Sequence, residues 1–295
     1  MASVRTAVIA AAGFGTRFLP VTKAVPKEMI PILDMPAVHY LVEECAASGV
    51  DKIIIVGRGQ RSAIIADYFD AAPDVEQSLK AQGKEAMLER VRKVSRMADI
   101  VVTRQGADVP YGNGSPAVQA APFLAPNEPY VYMFGDDLVK SATPSVKQLI
   151  DYFDTYQPAA VFGAAKVSLD EIHLYSSIKY LDNPQIPYQI EKQIEKPKPE
   201  EVASEYSQIG RFVLTNEVTE ILQRRELGKG NELWMSEALA KLAQTRPVAA
   251  LPLEGQWLTT GDTVRMLQAS IEYGLDRPDL APTLRAYLKS LQDRL

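Results

Sequence analysis

Residues 11–29 read AAGFGTRFLPVTKAVPKEM, directly after the apolar run RTAVIAA (5–11), which has the character of a buried parallel strand. A strand that opens into glycines, an arginine and two lysines suits a dinucleotide site, a nucleoside triphosphate site or a plain tight turn. The dinucleotide pattern G-x-G-x-x-G fails at its third position, which is Phe18, and Pro20 keeps a helix from starting where the pyrophosphate would sit. A Walker A loop fails too, since no Lys-Ser/Thr pair follows the second glycine. What remains is a long loop, 13–31, whose backbone amides can approach an anion. Arg17 offers a planar fork for phosphate oxygens, and Lys23 and Lys27 offer compact charges. A solvated basic loop is the plain alternative, and prolines 20, 26 and 31 argue against it by stiffening the segment.

Outward from this loop, short β-rich runs alternate with amphipathic segments. A helix is predicted over 37–49, with Val38, Leu41, Val42 and Cys45 on one face and Gly49 as its cap. Strands are predicted at 52–57, 99–105, 130–137, 159–167, 208–215 and 247–253, and helices at 61–70, 75–97, 217–225, 236–244, 263–274 and 281–294. The region 176–194 reads as a hairpin. This order predicts an α/β fold: a Rossmann-like mixed, mostly parallel sheet flanked by helices.

Two further stretches carry charge at places where chemistry is done. GDD (135–137) ends a strand, where ligand sites of open α/β sheets lie, and a carboxylate there suits a magnesium ion. A turn-forming Asp pair would look the same. In EKPKPEE (195–201) proline holds Glu195 and Lys196 in place, so a lysine for phosphate and a carboxylate for sugar hydroxyls can be aimed with little entropic loss. Alone, this piece would read as a solvated charge run. His39 and His173 lack metal-ligand spacing, and no serine elbow or Cys/His cluster occurs, which disfavours zinc and hydrolytic chemistry. A net charge of −5 disfavours a nucleic-acid partner. The single cysteine fits a reducing cytoplasm, and no apolar stretch is long enough to span a bilayer, so no membrane partner is expected.

Taken together, AAGFGTRFLPVTKAVPKEMIPILDMPAVHYLVEE, RQG, GDD, EKPKPEE and IGRFVLT resemble the bacterial UTP–glucose-1-phosphate uridylyltransferases, or UDP-glucose pyrophosphorylases, of the sugar nucleotidyltransferase superfamily. The resemblance runs from about residue 4 to about 275. It implies one nucleotidyltransferase domain over 1–275, with a nucleotide half to about 140, a sugar half over about 141–260 and a C-terminal helix at 276–295. It also implies that Ala11, Ala12 and Gly13 hold the base and ribose through backbone groups, with Gly112 beside them and Gln105 on the base edge. Gly15, Thr16 and Arg17 would surround the triphosphate, with Lys27 beside the phosphates. Asp136 would ligate Mg2+, Glu195 and the Tyr175-Ser176 pair would meet the sugar, and Lys196 the sugar phosphate. The implied activity converts UTP and glucose 1-phosphate into UDP-glucose and pyrophosphate, in a cytoplasmic enzyme of a family that commonly forms dimers or tetramers.

The sequence leaves the family pattern at three places. Ser115 stands where histidine is expected, which leaves UTP and dTTP both open; Ser176 replaces a glycine near the sugar, which leaves the acceptor open. Thr259-Thr260-Gly261-Asp262 replaces a late Asp-x-Gly, so either Asp136 alone serves the metal or Asp262 reaches in, and the former is favoured. Another sugar 1-phosphate, dTTP, or a weakened homologue acting as a binding or regulatory subunit are the competing readings.

Overall fold

A computed structural model describes residues 4–292, so the end of the predicted last helix, 293–294, lies outside the described residues. A seven-stranded sheet organises the chain. Thr6–Ala11 lies near its middle, parallel to Lys52–Gly57 on one side and to Tyr130–Phe134 on the other. Asp99–Arg104 continues the parallel set beyond Lys52–Gly57. On the far side Tyr206–Leu214 runs antiparallel between Tyr130–Phe134 and Ala160–Lys166, and Val248–Pro252 closes that edge parallel to Ala160–Lys166. The sheet is therefore mixed and mostly parallel, as the alternating pattern predicts.

Strand residues alternate between two buried layers because successive side chains leave a strand on opposite faces. Ala7 and Ile9 join the layer holding Leu41, Val42, Met133 and Leu149, whereas Val8 joins that of Tyr132, Phe212, Leu222 and Leu239. Helices Ala37–Ala47 and Ser145–Tyr156 cover the first layer, and Asn216–Gln223 and Met235–Leu242 the second. The first helix stops where its glycine predicts. Gly49 takes φ +87°, and its amide and that of Val50 bond back to Ala46 and Cys45, each at 3.1 Å.

Two predicted elements are corrected: the strand predicted over 130–137 ends at Phe134, and Asp137–Lys140 pairs instead with Gln256–Thr259. The charge-laced segment 75–97 is two helices, Pro73–Ala81 and Glu85–Ser95. Gly83 adopts φ +67° between them, a conformation that ends a helix and that a side chain would resist. Both halves keep a similar charge pattern, so periodicity alone does not reveal the break. The predicted hairpin is present as Ser176–Tyr180 paired antiparallel with Ile190–Glu195. Among the described residues, no helix is long and apolar enough to cross a membrane.

The layers are fastened by a buried ion pair. Arg211 is fully buried, and its guanidinium donates to Glu44 at 2.9 Å, to the Asp137 carbonyl at 2.6 Å and to the Gly210 carbonyl at 3.0 Å. Glu44 also accepts from the Val146 amide at 3.0 Å and from the Ser145 hydroxyl at the start of the next helix. Burial opposes the charge on Arg211, but Glu44 outweighs it and holds the guanidinium protonated. The pair ties one helix, the start of a second and the reversed strand to the segment bearing Asp136 and Asp137.

Candidate active site

The glycine-rich loop leaves Thr6–Ala11 at its carboxyl end and folds back over the sheet edge. Gly15 adopts φ +66°, and a β-carbon there would stand 2.9 Å from Thr22 Cγ2, so only glycine fits without displacement. Thr22 Oγ1 donates to the Gly15 carbonyl at 2.7 Å and pins the turn. Thr16–Phe18 then forms one tight turn that leaves Thr16 and Arg17 exposed. Arg17 reaches across to the Gly261 carbonyl at 3.4 Å.

Lys27 and Asp136, 109 residues apart in sequence, meet at 2.6 Å. Lys27 also passes beside Gly13, where a β-carbon would lie 3.4 Å from Lys27 Cε. Burial works against the ionised forms of both, yet their mutual attraction wins: Asp136 is held below the usual carboxylate range and Lys27 above the usual amine range. Arg17 contributes to keeping Asp136 ionised. Asp137 behaves differently. Its carboxylate turns inward and accepts from the Gly210 amide at 2.8 Å, and burial together with the charge on Asp136 raises its pKa. The GDD segment therefore divides into one partly exposed carboxylate paired with Lys27 and one holding the reversed strand.

Sequence reasoning missed Glu28. Its side chain is fully buried, with Lys27 Nζ 3.9 Å away, and neither carboxylate oxygen has a hydrogen-bond partner among the described residues. Burial pushes its pKa up to about 7, against the pull of Lys27. The motif PKEM offers no sign of this, because a glutamate beside a lysine in a loop ordinarily faces water. A raised carboxyl pKa means that the folded chain loses stability as pH rises from the unfolded value near 4.5 to about 7, with the full loss present above that. Glu28→Gln removes the buried charge. The variant should gain about 3 kcal/mol at pH 8 and well under ~1 kcal/mol at pH 4.5. Urea unfolding at both pH values measures this; an equal gain at both would show that Glu28 does not carry the effect.

The Ser176–Tyr180 and Ile190–Glu195 hairpin brings the predicted sugar-side residues together. Glu195 pairs in register with Ser176, and the Lys196 amide donates to the Tyr175 carbonyl at 2.7 Å. Lys196 adopts φ +47°, an uncommon backbone state for a residue with a side chain, and Pro197 follows directly. Tyr175 packs edge-on against Trp257 at 5.4 Å, and the Arg265 guanidinium lies 5.4 Å over its ring. These three, with Thr259, line a cleft of about 530 Å³. Ser176 itself is buried, its amide and hydroxyl each 3.0 Å from Ser207 Oγ.

On the base side, the Gln105 amide bonds Gly57 at 2.9 Å, and its side chain approaches the Pro110 carbonyl at 3.4 Å. Gly112 adopts φ +143°, and a β-carbon there would lie 2.2 Å from the Leu233 carbonyl oxygen. The turn is thus pressed onto the chain at 233. Ser115 is buried and donates its hydroxyl to the Pro110 carbonyl, which spends it on shaping the turn. Ala12 accepts a bond from Arg58 Nε at 2.7 Å. At the late motif, Thr260 donates from both amide and hydroxyl to the Asp136 carbonyl, at 2.6 and 3.0 Å. Asp262 caps helix Thr263–Asp276, accepting from the Arg265 amide at 3.0 Å, so its carboxylate is engaged there.

Residues 6–274 match the profile of the nucleotidyl transferase family. The UTP–glucose-1-phosphate uridylyltransferase YngB of Bacillus subtilis is 39% identical over 292 residues, covering 99% of this chain and 96% of that protein. A solved UDP-glucose pyrophosphorylase complexed with UDP-glucose superimposes with a TM-score of 0.80 at 31% identity, over 93% of this chain and 100% of that one. The UTP-bound enzyme of Acinetobacter baumannii superimposes with a TM-score of 0.88 at 26% identity, over 98% of this chain and 100% of that one. A sheet with a glycine-rich loop over its carboxyl edge, matched along nearly the whole chain by these proteins, identifies this chain as a member of the nucleotidyl transferase family.

Proposed function

We propose that this chain converts UTP and glucose 1-phosphate into UDP-glucose and pyrophosphate. The observation that carries the reading is the meeting of Lys27 and Asp136, with Arg17 alongside, under a glycine-rich loop of a nucleotidyl transferase fold. In the proposed assignment Ala11, Ala12, Gly13, Gln105 and Gly112 hold the nucleoside. Gly15, Thr16, Arg17 and Lys27 hold the triphosphate. Tyr175, Ser176, Glu195 and Lys196 receive the sugar phosphate.

An oxygen of the sugar phosphate attacks the α-phosphorus, a new P–O bond forms, and the bond to the β-phosphate breaks to release pyrophosphate. The attacking group is already an anion, so no base must remove a proton. The obstacle is the approach of two polyanions, which repel by roughly 4 kcal/mol per unit pair at ~4 Å and an effective dielectric near 20. Lys27 and Arg17 offset this on the donor side and Lys196 on the acceptor side, while the fixed loop backbones align the displacement. Asp136 presents a hard, ionised oxygen donor beside Lys27, and Mg2+ takes such donors together with water and phosphate. When bound, Mg2+ would neutralise charge on the phosphates. With Asp262 engaged as a helix cap, Asp136 is the carboxylate assigned to that role.

Pyrophosphate release from a panel of nucleoside triphosphates and sugar 1-phosphates, with and without magnesium, tests the reading. UTP with glucose 1-phosphate should be the fastest pair, and only with the metal. Fastest release with dTTP or another sugar would redirect the specificity, and none with any pair would leave a binding protein.

A further inference from the structure

Three side chains beside the proposed nucleotide site, two of them exposed aromatics, have no part in the chemistry above. Phe14, between the two loop glycines, is 50% exposed, and Tyr111, just before Gly112, is 42% exposed. Their rings lie 5.2 Å apart at a tilt of 36°. The Arg58 guanidinium sits 4.1 Å over the Phe14 ring and 5.5 Å from that of Tyr111. Phe14 and Tyr111 come from the two separate segments assigned to the nucleoside, so the stack bridges the site from one wall to the other.

Arg58 and Tyr111 are held from the polar end and the backbone, and both aromatic rings remain partly exposed. Arg58 is fixed by its bond to the Ala12 carbonyl, at the segment assigned to the nucleoside. The Tyr111 carbonyl accepts from the Leu233 amide at 2.8 Å, and Gly112 is pressed against Leu233. A cation over aromatic faces is attracted to them, and the same faces accept a planar base by stacking. A simple staple between loops would bury these rings; instead, two large aromatics remain about half in water where a base is expected.

We propose that Phe14, Arg58 and Tyr111 form a clamp that takes the pyrimidine of the nucleotide into its stack. The clamp sets nucleotide affinity. This rests on the assignment of residues 11–13, 105 and 112 to the nucleoside. Because Tyr111 is anchored at Leu233 and Arg58 at Ala12, the stack offers the base a fixed aromatic surface.

The test uses the full chain with UTP and magnesium, measuring dissociation constants by calorimetry and turnover with glucose 1-phosphate. Tyr111→Ala should raise the UTP dissociation constant and KM about ten-fold and leave kcat within about two-fold. Tyr111→Phe, which keeps the ring, should restore affinity, and Phe14→Leu, which keeps apolar bulk without a π face, should weaken UTP as Tyr111→Ala does. If both ring-deleting variants bind UTP as the wild type does, the clamp is overturned while the nucleotide site stands. If the wild-type chain binds no UTP, the assignment of the site falls and the clamp with it. A drop in kcat with unchanged KM would assign the three residues to loop structure instead.

Discussion

Lys196→Ala should lower turnover by ~10²–10³-fold while UTP binding stays within about two-fold of wild type. The size follows from the task assigned to this residue. A fixed cation that meets charge in the transition state contributes about 3–4 kcal/mol in sites of this kind. Lys196 is presented rigidly: its amide is tied to Tyr175, its backbone is left-handed, and Pro197 limits the chain after it. Among the described residues, no acidic side chain forms an ion pair with its ammonium group, which leaves that charge for a ligand. Alanine can keep the same backbone state, so the variant removes the charge without remodelling the hairpin. Calorimetry with UTP and steady-state rates with varied glucose 1-phosphate separate the two effects. Loss of UTP binding would move Lys196 from the acceptor to the triphosphate.

The second large effect concerns stability. Glu44→Ala should destabilise the chain by about 3–5 kcal/mol, because it leaves the Arg211 guanidinium buried without its counter-charge. Removing both charges in Glu44→Leu with Arg211→Met should recover much of the loss, since an apolar pair of similar volume is often neutral where a broken ion pair is not. Denaturant unfolding of the single and double variants measures this. A double variant as unstable as the single would place the cost in the other hydrogen bonds of Glu44 and Arg211, to Ser145, Val146 and the carbonyls of Gly210 and Asp137.

Much of this was legible in the residues, for identifiable reasons. The parallel strands announce themselves as continuous apolar runs, and GFGTRF signals its loop because glycine and proline restrict the backbone locally. The 75–97 segment was misread because one glycine outweighs a charge pattern that continues past it. Asp136 and Asp137 are indistinguishable in sequence; the contact with Gly210, 73 residues away, decides which turns inward. Glu28 was invisible for a similar reason, since its burial depends on the packing of Gly135 against its side chain, where a β-carbon would lie 2.8 Å from Glu28 Cγ. Ser115 and Ser176 drew attention as departures, yet both spend their hydroxyls inside the chain, on Pro110 and Ser207. Residue type shows what a position can do, whereas its direction is set by partners far along the chain.

The reversed strand Tyr206–Leu214 has a mechanical consequence. It lies between Tyr130–Phe134, which leads to Asp136, and Ala160–Lys166, and its own Ser207 holds Ser176 of the acceptor hairpin. Both ends of the proposed reaction thereby hang on one strand, whose pairing shifts register between Gln208 and Phe212. A disturbance of that strand would reach the metal side and the acceptor side together.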